Sequence, residues 1–292
     1  MQKMKRNHWV TQAYLRIFAA DGERREKIWR FGKNAGDPEL KPIEKVAVKF
    51  YLYAPVTADG SRDYSFEQKL SDLEQWFGDP LWCKVCNEMV PLQWEPLRKM
   101  VSLLASVMFL RNPAQFERTK SMHRQIVDAY SRLPELPNAF EHRGKAYRLD
   151  TSKWPEYRSA SEDDLKRHWI SEIGAAGWLA KRFLKMRWAV VFSDAPVFVT
   201  TDHPVTIVHP SMRFRGLDHP ETMVYFPLSP TRLLVMDNRH SEPDANYYPL
   251  KADPGSFNLT LWHNATEYMF SHRHPDLVCS EMLEESERLG FS

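Results

Sequence analysis

His8, Gln12 and Arg16 stand at i, i+4 and i+8 in a stretch whose apolar residues Val10, Ala13, Tyr14, Ile17 and Phe18 recur at helical spacing. On one helix such positions stack on a common face, so an imidazole, an amide and a guanidinium would line up. Imidazole ordinarily titrates near neutrality, which suits it to general-base work or metal ligation. Asp202-His203 is a second acid–imidazole pair, of the kind that can be brought to a cation. His209 in the β-rich half and His263, His272 and His274 near the end are further histidines, but no H-E-x-x-H or comparable pattern fixes them around an ion. Taken singly, each reads as a hydrogen-bonded surface or core histidine.

Other short patterns are weaker. Cys83-Lys84-Val85-Cys86 follows Trp82 in the manner of a redox motif, yet its surroundings are helical rather than βαβ. With Cys279 it would supply three zinc ligands where structural sites want four. Arg118 and His123 share a spacing with small helical ribonucleases, whose use of it also needs a four-helix setting. Neither G-x-G-x-x-G, nor a P-loop, nor a G-x-S-x-G elbow occurs. Nucleotide-cofactor oxidoreductases, P-loop NTPases and α/β-hydrolases therefore have no motif to rest on.

The 292 residues carry 40 basic and 38 acidic side chains, a net charge of +2, too slight for a nucleic-acid footprint by charge alone. Local basic clusters at Lys3, Lys5 and Arg6, and at Lys181, Arg182, Lys185 and Arg187, read first as solvated helix faces or helix C-termini. They leave an anionic partner open. A hydrophobic content of 43% supplies a core without staples, and three cysteines make no disulfide framework. No apolar run follows the first basic residues and none reaches about 18 residues, so no signal peptide, no membrane and a cytoplasmic location are expected.

The elements that must position these residues divide in two. A short helix is expected over His8–Ala19, ending at the Asp21-Gly22 turn. Lys27–Phe31 and the run within Pro42–Tyr53 are expected to pair as strands, with Gly32–Leu40 between them. Tyr64 to about Leu133 reads as helical, with Phe66, Leu70, Leu73 and Phe77 in one stripe and Glu67 and Glu74 on its flank. Leu97–Leu110 is apolar nearly all round, as a central buried helix would be, and Arg111-Asn112-Pro113 ends or kinks it. Pro134–Arg158 lacks a period and reads as a surface excursion or lid. A second helical region runs over Ser161–Lys185.

Strands are expected at Trp188–Phe192, Pro196–Thr201, Val205–Val208, Thr222–Phe226 and Leu233–Met236. Further elements fall at Asn258–Trp262 and Glu267–Phe270, and an amphipathic helix closes over Asp276–Leu289. The pattern is α+β: a mostly helical N-terminal half packed on a mainly antiparallel, β-rich C-terminal half. Lacking a clean linker, residues 1–292 are expected to form one domain, with the excursion at about 134–160.

Several ordered segments carry a resemblance. Asn7-His8-Trp9-Val10-Thr11-Gln12-Ala13-Tyr14-Leu15 is similar to an N-H-x-V-P-Q-x-Y-L opening. Phe66-Glu67 through Glu74 is similar to a pair of glutamates, and Leu110-Arg111-Asn112-Pro113 to L-R-x-P. Phe198–Val205 resembles F-x-T-S-D-x-P-V, Phe226–Pro230 carries P-L-S-P, and Asn258 with Asn264-Ala265 matches a late N…N-A. Together they resemble the bacterial domain-of-unknown-function family 4238. Thr11 stands where that family has proline and Thr201 where it has serine, so the start of the first helix is the feature put in question. The resemblance brings no activity with it.

The polar residues inside these segments are the site candidates: His8, Gln12, Arg111 and Asp202 for catalysis, with Asn7, Arg16, Glu67 and Asn264 for substrate. By residue type, His8 would be base or metal ligand and Asp202 would orient it or bind a divalent cation. Arg111 would hold an anion, and Gln12 and Asn264 would position substrate. Structural duties are the alternative, with Asp202 capping a turn and Arg111 neutralising Glu67 or bonding helix carbonyls. The enzymatic reading is a hydrolase on a phosphate- or carboxylate-bearing substrate, a nuclease being one case. The other is a non-catalytic protein- or nucleic-acid-binding module, since ten tryptophans suit an interface. A role in bacterial defence is compatible with either. The sequence leaves metal identity and oligomeric state open.

Overall fold

A computed structural model describes residues 6–20, 26–33, 36–142, 144–211, 216–251 and 253–290. Lys3, Lys5 and the Asp21-Gly22 turn lie outside the described residues. The chain opens with β1 (Arg6–His8) and the short helix α1 (Gln12–Leu15), which runs into a 3-10 turn over Arg16–Phe18. The helix expected from His8 thus starts only at Gln12. Thr11 is its N-cap, extended at φ −66° and ψ 141°, and its hydroxyl accepts from Tyr14 N–H.

Next come β2 (Lys27–Gly32), β3 (Glu39–Pro42) and β4 (Val48–Phe50). The expected pairing of β2 with the later run is replaced by two separate pairings: β2 with β3, and β4 with β1. Ala47 and Tyr51 adopt positive φ (48° and 54°) on either side of β4, which holds that strand to three residues.

Helices follow as expected: α2 (Ser65–Glu74), α3 (Pro80–Asn87), α4 (Glu95–Leu110) and α5 (Pro113–Tyr130). Arg111 closes α4 and Asn112 caps α5, its side chain accepting from Ala114 N–H with Pro113 at the first turn. The excursion after α5 contains an exposed hairpin, β5 (Ala139–His142) with β6 (Lys145–Arg148), then α6 (Trp154–Arg158). A capping box of Ser161 and Asp164 starts α7 (Glu162–Gly174), and α8 (Gly177–Lys185) follows.

The remaining elements are β7 (Arg187–Phe192), β8 (Thr200–Thr201), β9 (Thr206–Val208), β10 (Met223–Ser229), β11 (Arg232–Asp237), β12 (Asn246–Pro249), α9 (Gly255–Asn264), β13 (Tyr268–Ser271) and α10 (Pro275–Arg288). Of the Pro196–Thr201 run, only Thr200–Thr201 pairs as strand, while Val197 and Phe198 both donate to Pro230 O. Asn258–Trp262 lies inside α9. One sheet has the order β12-β7-β11-β10-β9, antiparallel except for β12 against β7. The other, β3-β2-β13-β8, is antiparallel throughout and joins the two ends of the chain. This is the α+β arrangement, closing with a helix.

The larger core cluster draws on both halves, from Val10 to Phe270. Tyr14 shows how: its ring packs among Phe77, Trp82 and Phe226, and its hydroxyl donates to Pro227 O at 2.7 Å and meets Thr200 Oγ1 at 2.8 Å. Those contacts anchor α1, and the residues around it, to the β-rich half. No helix among the described residues is long and apolar enough to cross a membrane.

The junction of α9 and α10 is tight enough to predict a substitution effect. A Cβ on Gly255 would lie 2.5 Å from Glu281 O and 2.9 Å from Glu285 Cβ. Gly255→Ala should therefore cost roughly 1–3 kcal/mol through forced backbone displacement. A thermal melt with an unchanged midpoint would refute that close approach.

Candidate functional site

A cleft of about 430 Å³ opens between β1, α1, α2 and the end of α4. It is lined by Asn7, His8, Gln12, Arg16, Glu67 and Arg111, six of the eight residues singled out from sequence, together with Arg6, Glu44, Tyr53 and Glu74. Asp202 and Asn264 do not line it.

His8 ends β1 rather than sharing a helix with Gln12, yet the two side chains meet. His8 Nδ1 lies 3.1 Å from Val46 O and its Nε2 lies 3.0 Å from Gln12 Nε2. A carbonyl can only accept, so Nδ1 carries the proton and Nε2 presents its lone pair. The amide orientation agrees, because Arg16 donates to Gln12 Oε1 at 3.2 Å, leaving the NH2 group to face His8. Burial lowers the His8 pKa below its ordinary 6.5, against the opposing pull of the Val46 carbonyl and Glu74. At neutral pH His8 is therefore an uncharged imidazole with its basic nitrogen turned to the Gln12 side.

Arg111 is 3% exposed and its donors are committed. Nη1 pairs with Glu74 Oε1 at 2.7 Å, Nη2 donates to the carbonyl of His8, and Nε donates to the Tyr53 hydroxyl at 3.3 Å. The Tyr53 hydroxyl in turn donates to Arg111 O at 2.8 Å, and burial pushes its pKa up to about 12. Sequence reasoning expected Arg111 to receive an anion. In the structure it instead holds the His8 backbone and Glu74 in place. The neighbouring guanidiniums of Arg6 and Arg16 lie at the exposed edge.

Glu67 is buried on α2, and its Oε1 has no hydrogen-bond partner. Burial raises its carboxyl above the ordinary range, while the side chain of Asn7 opposes that shift. Asn7 is fixed for this contact because its Oδ1 accepts from Leu52 N–H at 2.8 Å, which leaves its NH2 group to donate. A protonation-prone acid thus shares the cleft with a neutral base. With Arg6, Glu44 and Tyr53, Glu74 is one of the cleft residues not among the candidates read from sequence; it lies two helical turns beyond Glu67. Its signal was the seven-residue spacing, which puts both carboxyls on one face of α2.

Asp202 is 2% exposed and its carboxylate is fully employed elsewhere. Oδ1 accepts from Thr266 N–H at 2.8 Å, and Oδ2 accepts from Glu267 and Tyr268 N–H at 2.7 and 3.0 Å. The expected contact with His8 is absent because both His8 ring nitrogens already bond Val46 and Gln12. Asp202 is tied to the chain neighbours of His8 and Arg111 through its backbone: its carbonyl accepts from Trp9 Nε1 at 2.9 Å and Asn112 Nδ2 at 2.6 Å. Asn264 bonds the carbonyl of Thr260 one turn back in α9, at 2.9 Å. Its place is the end of that helix.

The remaining motifs are housed in helices. Cys86 is buried on α3 with its thiol donating to Leu228 O, and Cys83 is exposed. Arg118 and His123 lie on α5, where His123 Nε2 meets Tyr157 O at 2.7 Å. Among the described residues, the cleft carboxylates do not gather with further metal-binding side chains. The group that does is His209, His219 and Glu221, outside the cleft.

An α+β protein with a polar, histidine-bearing cleft under its N-terminal strand is the class these observations define. The chain belongs to the family described as Protein of unknown function (DUF4238), whose model matches residues 6–275. No curated protein and no solved structure matches it.

Proposed function

We propose that the cleft is the active site of a hydrolase acting on a phosphate- or carboxylate-bearing substrate, with His8 as general base. The observation that carries this reading is the His8 ring itself, with its proton held on Nδ1 by Val46 O and its pKa lowered by burial. A water or substrate hydroxyl replacing the Gln12 amide at Nε2 would give up its proton there. Arg6 and Arg16, at the open edge, are placed to meet the anionic group. Glu67, with its raised carboxyl pKa and unpartnered Oε1, is suited to protonate a leaving group.

The test is turnover of phosphodiester, phosphomonoester, carboxylate-bearing and nucleic-acid substrates by the protein and by His8→Gln. The expected result is a rate at least a hundredfold lower in the variant. The wild-type rate should rise with pH through a midpoint below 6.5, since the base works only when unprotonated and burial depresses its pKa. Equal turnover by His8→Gln would refute the assignment.

A binding module is the second reading, and one observation favours it. The exposed β5–β6 hairpin presents Phe140 and Tyr147 stacked at 5.1 Å, near in sequence to the Tyr130–Trp154–Tyr157 ring cluster. If turnover is absent and nucleic-acid affinity falls in a Phe140→Ala, Tyr147→Ala double variant, this reading replaces the first.

A further inference from the structure

We propose that His209, His219 and Glu221 form a site for one divalent transition ion of the zinc class, separate from the cleft. The antiparallel register of β9 and β10 builds it. Val208 pairs with Met223, so His209 emerges from one strand beside the residues that lead into the other. His209 Nε2 lies 3.2 Å from His219 Nδ1 and 3.4 Å from a Glu221 carboxylate oxygen. All three ligand atoms fall within 4.8 Å of one another. Zinc–nitrogen bonds of about 2.0 Å place tetrahedral ligand atoms roughly 3.3 Å apart, so two edges already have the spacing of an occupied site. The third closes by rotation of Glu221, whose side chain is 59% exposed and free to move.

Ligation requires one tautomer shift, which the surrounding groups can accommodate. His219 Nδ1 accepts from Glu221 N–H at 3.2 Å, so its ring proton sits on Nε2 and its single lone pair is shared between that N–H and His209 Nε2, both of which an ion would displace. His209 Nδ1 accepts from Ser211 N–H at 3.1 Å, so without an ion its proton sits on Nε2 and points at His219. An ion taken up at Nε2 displaces that proton to Nδ1, where Ser211 Oγ at 2.7 Å can accept it. That is the outer partner which metal-bound histidines ordinarily have.

Residues 216–222 are also held in shape without an ion. Asn238 Nδ2 donates to Leu217 O and His219 O at 2.7 and 2.9 Å, Thr222 Oγ1 donates to Gly216 O at 2.7 Å, and Asp218 pairs with Arg182. A pair of imidazoles already side by side, with an adjustable carboxylate, binds at little cost in ordering those three side chains. Two histidines and one carboxylate leave a fourth position for water or a substrate atom.

The experiment is titration of the tag-free protein with Co²⁺, followed by displacement with Zn²⁺. One equivalent should produce the visible absorption of a tetrahedral cobalt site, and His219→Ala and Glu221→Gln should each weaken it at least tenfold. Glu221 is exposed enough that Glu221→Gln should leave the far-ultraviolet circular dichroism unchanged, so its loss of affinity would report ligation rather than unfolding. A wild-type protein with no saturable cobalt spectrum would overturn the proposal. So would a spectrum and affinity that both variants retain.

Discussion

Asp202→Ala should lower the stability of the protein by about 4 kcal/mol or more, a drop of at least about 6 °C in Tm for a chain of this size. The argument rests on what the carboxylate satisfies. Three consecutive backbone N–H groups, of Thr266, Glu267 and Tyr268, converge on its two oxygens between α9 and β13. Removing the carboxylate strands all three, each at a cost of about 1–3 kcal/mol where water cannot replace the acceptor. It also loosens the carbonyl to which Trp9 and Asn112 donate, and so the strand bearing His8.

Asp202→Asn should be milder, because one oxygen remains while an NH2 group is forced against a backbone donor. The same pair of variants separates a brace from a chemical role. A brace loses Tm while ligand affinity at low temperature survives. A catalytic Asp202 would lose turnover in the Asn variant with the melt unchanged, and that outcome would return it to the active site.

What the sequence showed best were features whose cause is local. The all-round apolar character of Leu97–Leu110 made a buried α4, and Ser161 with Asp164 made a capping box. The grouping of Asn7, His8, Gln12, Arg16, Glu67 and Arg111 was legible as a set of polar types, but not as a geometry. Nothing in the residues says that Arg111 spends its donors on Glu74, Tyr53 and a carbonyl. Asp202 was misplaced for a related reason: its partners lie some 64 to 66 positions later, and backbone donors leave no trace in residue identity. Strand pairing failed where the chain turns at Ala47 and Tyr51, since neither is a glycine that would have marked a positive φ.

The segments that carry the family resemblance also touch one another. Trp9 from the opening and Asn112 from the L-R-x-P stretch both donate to Asp202 O, and Phe109 stacks on His203 at 5.3 Å. Their shared polar residues thus divide between a cleft on one side and a brace behind it. A single protein can show both structural and chemical reasons for such residues.

His203 in that brace should make the fold acid-sensitive in a defined window. Its Nε2 is buried without a partner, the ring is bonded to the backbone of Asn264, and burial pulls its pKa down from 6.5 to about 4. The unfolded chain takes up a proton at this residue near pH 6.5, whereas the folded chain resists until about pH 4. The stability is therefore fully present above pH 6.5 and is lost as pH falls towards 4. A difference of this size corresponds to about 3 kcal/mol. Buried carboxyls with raised pKa values, Glu67 and Asp202, push in the opposite direction as they protonate, so the total acid response of the wild type mixes signs.

The contribution of His203 is isolated by comparison with His203→Gln, which keeps an N–H donor and removes the titration. Denaturant unfolding at pH 7 and at pH 4.5 should show the variant losing about 2–3 kcal/mol less than the wild type over that interval. Parallel losses in the two proteins would mean that the ring is hydrated or paired in solution, and that the acid response comes from the carboxyls alone.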